Sequence, residues 1–217
     1  MVISQGKAQE VFVSNHPLIQ HKLSLLRDIN TEPKRFREVV HEITILLAYE
    51  ATADLTTREI TVQTPLTQTT SRELEQQIGL VPILRSGLGM VGAMLTVLPT
   101  AQVWHLGLYR DHKTLQPITY YNKLPGHTAP DLCLVLDPML ATGGSAVAAI
   151  NILKEWGTKR IKFMGLIGAP EGVALLRQHH PDVPIYIAAL DDHLNDIGYI
   201  VPGLGDAGDR QFGTGQF

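Results

Sequence analysis

The sequence predicts an α/β fold, a parallel-core sheet with helices on both faces. Short apolar runs at 80–84, 132–136, 161–167 and 185–190 are bounded by turn residues and rich in Val, Ile and Leu, the pattern of strands covered on both sides. Between them lie stretches whose apolar residues recur at helical spacing. Strand and helix alternate along the chain, and crossovers of that kind place successive strands parallel.

A length of 217 residues is ample for a buried core, and no low-complexity linker divides it, so one domain over 1–217 is expected. A hydrophobic share of 44% with near-neutral mean hydropathy describes an ordinary globule. The net charge of −3 supplies no electrostatic footprint for nucleic acid or an anionic membrane surface, so neither is an expected partner. The single cysteine, Cys133, falls inside an apolar run, which excludes a disulfide within the chain and suits a reducing compartment. No apolar run is long enough for a bilayer, and residues 1–17 lack the regions of a signal peptide; a cytoplasmic location is the expectation.

In chain order, 11–13 reads as a short strand. Asn15-His16-Pro17 then starts a helix with proline in its first turn, and Leu18, Leu25 and Leu26 are expected to face the core. Pro33 opens a longer helix in which Phe36, Val39, Val40, Ile43, Leu46 and Leu47 make one stripe. It ends near YEATADL, residues 49–55, where Tyr49, Glu50 and Asp54 read better as a hydrogen-bonded helix exit than as catalytic groups. A strand at 60–62 is followed by a Thr-rich loop at 64–71, then by the strand 80–84. Pro82 in that strand cannot donate to a ladder and belongs near its start or at an irregularity.

Arg85-Ser86-Gly87-Leu88-Gly89 forms a glycine-bearing turn after that strand. Residues 87–92 fit GxGxxG, but the next apolar run, 103–109, meets Arg110 before an acid, so a dinucleotide fingerprint is not favoured. Arg85 and Arg110 each follow an apolar run and are expected at the carboxyl edge of the sheet, where two guanidinium forks suit a pyrophosphate. Residues 116–123 alternate like one arm of a hairpin whose partner is 106–110; a turn around Asp111, His112 and Lys113 would make a flap beside the site. Tyr120 and Tyr121 on that arm suit sheet packing better than base stacking. Downstream, 171–179 is a helix with Pro170 in its first turn, and His179-His180 ends it where cations are favoured, with no third metal ligand spaced to join them.

The chemistry concentrates in 132–156. The apolar strand 132–136 stops at Asp137, and Ala146, Val147, Ile150 and Leu153 recur as a helix, so the chain turns over between Asp137 and Ser145 at the carboxyl end of a strand. Thr142-Gly143-Gly144-Ser145 places two hydroxyls and two residues without a Cβ at a helix start, whose free N–H groups suit a phosphate. No Lys follows the glycines, so this is not a Walker loop. Asp137 would repel a phosphate unless it held another part of the same ligand, and sugar hydroxyls fit that role. Asp137 capping a turn and Thr142 or Ser145 capping the helix account for the turn equally well.

The tail from 195 has little periodicity and many glycines, yet Tyr199, Ile200, Val201, Leu204 and Phe212 are too apolar for a free end. It is expected to fold over the site as a hood covering about 195–217, with Gly203, Gly205 and Gly208 letting main-chain groups approach a flat ligand.

LVLDPMLATGGS at 134–145 resembles the phosphoribosyl pyrophosphate (PRPP) motif of type I phosphoribosyltransferases, in the form carried by the uracil phosphoribosyltransferase family. YEATADL, VPILRSGLGM, LYR, APEGV and GYIVPGLGDAGDRQFGT agree with that family, and the last is the most discriminating. The resemblance implies transfer of 5-phosphoribose from PRPP to N1 of uracil, giving UMP and pyrophosphate, with Asp137, Arg85 and Arg110 in the chemistry. It implies PRPP contacts from Asp137, Pro138 and Met139, from Leu140, Ala141 and Thr142, from Gly143, Gly144 and Ser145, and from Arg85, Arg110 and Asp206. Ile200, Gly205, Asp206 and Ala207 would hold uracil. Mg²⁺ is expected through PRPP rather than on a metal site of the chain, GTP as a candidate activator, and a homo-oligomer as the assembly. Other phosphoribosyltransferases commonly place two adjacent acids at the loop's start, whereas here Asp137 is followed by Pro138, as in the uracil branch.

Overall fold

The computed structural model describes residues 11–110, 117–126 and 129–215. Its centre is a mostly parallel sheet built from β1 (Val11–Val13), β4 (Ile78–Leu84), β5 (Gln102–Val103), β6 (Leu106–Arg110), β7 (Pro117–Asn122), β8 (Leu132–Leu136), β9 (Met139–Leu140), β10 (Arg160–Gly168) and β11 (Ile185–Leu190). The order is β1-β11-β10-β8-β4-β6-β7, with β5 on β4 and β9 on β10. Only β7 runs antiparallel, against β6, as the hairpin reading expects; the flap turn at 111–113 lies outside the described residues.

Period-two alternation divides the core. Leu132, Leu134 and Leu136 face a cluster formed with α1 (Pro17–Arg27), α2 (Pro33–Ala51) and α3 (Leu88–Val97). Cys133 and Val135 face the opposite cluster, under α4 (Gly144–Glu155) and α5 (Pro170–His179). Both faces of β8 are therefore dry, which is why its sequence is apolar without a break.

Helix α1 buries Leu26 and packs Leu25 partly against the core, as expected, but Leu18 is exposed and Ile19 and Leu23 complete the buried stripe. The stripe at 19, 23 and 26 follows the helical period, with Leu25 at its margin and Leu18 on the far side. The Thr-rich stretch after β2 (Thr57–Gln63) is not a loop. A tight turn at 64–67 leads into β3 (Gln68–Leu74), which pairs antiparallel with β2 from Thr57↔Leu74 to Gln63↔Gln68. Threonine's branched Cβ favours such a ladder, and the two faces carry little apolar residue to announce it.

Pro82 sits mid-strand, at an irregularity. The Leu80 carbonyl accepts from Trp104 N–H at 2.9 Å, so Pro82, two residues on, turns its missing donor to the same side. There β5 ends at Val103 and β6 begins at Leu106. YEATADL fastens the end of α2 to the sheet: Ser14 Oγ donates to Glu50 at 2.7 Å, while Asp54 pairs with buried Lys162 and with Arg160 at the start of β10. Among the described residues, no helix is long and apolar enough to cross a membrane.

Candidate active site

The segment after β8 is fastened to the sheet before it opens. Asp137 N–H donates to the Met164 carbonyl at 3.1 Å, and the Pro138 carbonyl accepts from Leu166 and Ile167. Met139 and Leu140 then pair with Ile167 and Gly168, so the expected polar turn contains a short strand. Gly143 follows with φ 84°, a left-handed conformation costly for any residue with a Cβ. A Cβ there would also lie 2.7 Å from the Gly172 carbonyl of α5.

Gly143 is the N-cap of α4, and no side chain bonds the helix start. Thr142 and Ser145 thus do not cap it, and the first-turn N–H groups are left for a ligand. A cavity of about 180 Å³ lies over them, lined by Asp137, Leu140, Thr142, Gly143, Ser145 and Gly198 among others. Free amides and the positive end of a twelve-residue helix make this an anion cradle.

A second cavity of about 280 Å³ shares Asp137, Met139, Ala141 and Gly198 with the first. Its other walls are Ser86 and the hood: Tyr199, Ile200, Gly205, Asp206, Ala207 and Gly208. Asp137 therefore stands at the junction. Burial pushes its carboxyl up to about 7, against the hydrogen bonds it accepts from Ser86 Oγ (3.0 Å) and Met139 N–H, and the Asp206 carboxylate adds a smaller upward push.

The hood is ordered by two arginines. Arg27 pairs with Asp191 at 2.5 Å and donates to the Gly203 carbonyl at 2.8 Å, while Gly203 N–H donates to Asp191. Arg210 is buried over the Phe36 ring and donates to the carbonyls of Leu26, Asp28 and Leu204. Its guanidinium thus closes the carboxyl end of α1, where a cation is favoured. Beyond the expected loop, the hood contains β12 (His193–Leu194) paired with β13 (Ile200–Val201), and α6 (Ala207–Phe212), capped by the Asp206 side chain on Asp209 N–H. DAGDRQF is too short and too polar for its period to show.

Of the residues singled out from sequence, Asp137, Ile200, Gly205, Asp206 and Ala207 line the larger cavity, and Leu140, Ala141, Thr142, Gly143 and Ser145 the smaller. Met139 touches both. Pro138 is buried, its carbonyl is bonded within the sheet, and it lines neither cavity. Gly144 opens α4 without lining a wall. Arg85 follows β4 beside the larger cavity, 60% exposed, with Nη2 3.4 Å from Asp209 on α6. Arg110 ends β6 on the same edge of the sheet as Asp137. Gly208, expected to let main-chain groups approach a ligand, lines the larger cavity, whereas Ser86, Gly198 and Tyr199 were not singled out as site residues, although the motifs that contain them were.

Among the described residues no cluster of three or more His, Cys, Asp or Glu could hold a metal. Asp137 and Asp206 are the carboxylates at the larger cavity. Mg²⁺ asks for one or two carboxylates together with substrate phosphates and water, so this oxygen set fits an ion that enters with a polyphosphate.

The sequence profile described as Uracil phosphoribosyltransferase matches residues 13–214. A protein of Roseiflexus castenholzii named uracil phosphoribosyltransferase is 67% identical over 207 residues, 95% of this chain and 100% of its own. The solved AQ2163 protein of Aquifex aeolicus superposes with a TM-score of 0.90 at 36% identity, covering 95% of this chain and all of that one. A hypoxanthine phosphoribosyltransferase from Staphylococcus aureus shares the fold alone, with a TM-score of 0.50 at 12% identity over 73% of this chain and 76% of its own. An uncapped helix start and a second cavity under the hood meeting at one carboxylate, in a chain matched along almost its whole length, lead to one assignment: it belongs to the uracil phosphoribosyltransferase family.

Proposed function

We propose that the chain transfers 5-phosphoribose from PRPP to N1 of uracil, releasing pyrophosphate and forming UMP. The observation that carries this is the junction at Asp137, where an anion cradle and the cavity under the hood share Asp137, Met139, Ala141 and Gly198. The 5-phosphate takes the α4 N-terminus and the 141–145 turn. Asp137 accepts from the ribose hydroxyls, which fixes C1′ at the seam between the cavities. Uracil lies under the hood, against Ile200 and the main chain of Gly205, Asp206 and Ala207. Arg85 and Arg110, from neighbouring parallel strands, hold the pyrophosphate.

Bond breaking at C1′ leaves positive charge on the ribose and negative charge on the departing pyrophosphate. Asp137 stabilises the first at short range and the arginines the second, while the two cradles hold N1 in line with C1′. Mg²⁺ held through PRPP, with Asp137 and Asp206 as protein oxygens, would neutralise leaving-group charge. Uracil presents a carbonyl at C4 where cytosine presents an amino group. A main-chain N–H directed there accepts the first, and a buried mispaired group costs about 1–3 kcal/mol against the second.

GTP as an activator and a homo-oligomeric state complete the proposal, as does action of the chain as one domain in the cytoplasm. Support for assembly comes from apolar side chains left on the surface, Leu66 at the β2–β3 tip (94% exposed) and Tyr49 on α2 (83%). The test is UMP formation from uracil and PRPP, with and without Mg²⁺ and GTP, alongside sedimentation of the protein. No UMP under any of these conditions would overturn the reading.

A further inference from the structure

Gln211 lies on α6 with its side chain wholly buried, yet faces neither cavity. Its amide nitrogen donates to the Ser86 carbonyl at 3.1 Å and to the Ala207 carbonyl at 3.0 Å. Ser86 in turn donates through Oγ to Asp137 at 3.0 Å. One unbroken chain of contacts therefore runs from Ala207 through Gln211 and Ser86 to Asp137, from the hood to the carboxylate at the junction. The rest of the amide is tightly housed: Oε1 lies over Gly89, where a Cβ would come within 1.6 Å of it, so only glycine at 89 admits this side chain. Oε1 is buried with no hydrogen-bond partner. An amide kept in a dry site at that expense is retained for what its nitrogen does.

Given that the larger cavity takes the base and the smaller the phosphoribose, as proposed above, we propose that Gln211 is a positioning residue that ties the base-holding segment to the Ser86–Asp137 pair, so that filling one subsite prepares the other. Uracil seated against Ala207 steadies α6, α6 fixes the Ser86 carbonyl through Gln211, and Ser86 then presents its hydroxyl to Asp137. By linkage the effect is mutual: bound PRPP tightens uracil by the factor with which bound uracil tightens PRPP. Gln211 touches no reacting atom.

The test uses Gln211→Met, which keeps the length of the side chain, and Gln211→Leu, which is one atom shorter and apolar; both remove its donors. Initial rates with uracil varied at several PRPP concentrations give the factor by which one substrate changes the affinity for the other. Wild type is expected to show a factor of about five or more, and both variants about one, with thermal midpoints within about 3 °C of wild type. Stable variants with wild-type coupling would overturn the proposal. Failure of both to fold would overturn it too, since the residue would then be structural. A wild-type protein that makes no UMP from uracil and PRPP would instead refute the functional reading, a result distinct from either.

Discussion

Asp137→Asn should make the protein more stable and less active, and the gain should depend on pH. The carboxyl is held at about 7 in the folded chain against an ordinary value of 3.8. A raised folded value means the native state keeps a proton that the unfolded chain has released, so the ionised side chain opposes folding. That opposition is absent below about pH 4, grows as pH rises from 4 to 7, and is complete above 7. The interval of about 3 pKa units corresponds to about 4 kcal/mol at most. One edge of the carboxylate stays open to the cavity, so about 2–4 kcal/mol is the working range.

Asparagine removes the charge and keeps one acceptor oxygen, which can serve Ser86 Oγ. The variant's advantage should therefore be small at pH 4 and reach about 5–15 °C in thermal midpoint at pH 8 for a chain of this size. Calorimetry of both proteins at pH 4, 6 and 8 reads this directly. In the same protein kcat/KM for PRPP should fall at least tenfold or so, because the neutral amide loses charge-assisted bonds to the ribose hydroxyls. An advantage that does not grow between pH 4 and 8, or a less stable variant at pH 8, would refute the account of Asp137 as a desolvated carboxylate.

Wild-type kcat/KM for PRPP should decline as pH falls through about 7, since the proton that Asp137 gains blocks the hydroxyl contacts; a profile flat from pH 5 to 8 would remove it from the mechanism. Replacing Arg85 by Ala should weaken pyrophosphate binding by one charge-assisted contact, about 1.5–3 kcal/mol or roughly 10- to 150-fold, with little change in stability because its pair with Asp209 is exposed. Unaltered pyrophosphate affinity by calorimetry would return Arg85 to an ordinary surface charge. Gly143→Ala places a Cβ at φ 84° and 2.7 Å from the Gly172 carbonyl, so it should lower stability by about 1–3 kcal/mol and weaken PRPP; a normal midpoint and normal KM would show the turn to be more yielding than its packing implies. Cytosine should bind at least tenfold or so more weakly than uracil in the presence of PRPP, and equal binding would exclude selection by the hood's main chain.

The central strand and the cradle were legible because their signals are local. A strand buried on both faces has to be apolar throughout, as Leu132–Leu136 is, and a ligand-binding helix start leaves its mark within a few residues of Gly143. The β2–β3 ribbon lacked such a mark: with both faces open, neither strand needs an apolar period, and a run of threonines reads as loop. On α1, Leu25 and Leu26 were placed correctly and Leu18 was not, since a leucine-rich helix offers two adjacent ridges and the packing against α2 and β11 selects between them.

The hood was legible in outline, from its apolar residues, but its internal order is tertiary. Arg210 reaches carbonyls of Leu26 and Asp28, more than 180 positions away in the chain, and Gln211 reaches Ser86 across 125. Nothing in DAGDRQF alone states that its arginine will be buried rather than solvated, or that its glutamine will hold a backbone carbonyl. The buried position of Arg210 follows from a demand made elsewhere: α1 ends among carbonyls that lack helical donors, and a guanidinium supplies several at once without needing a carboxylate partner. Sequence reasoning finds such a residue only by first asking which helix ends lack donors, and then which cation the topology can bring to them.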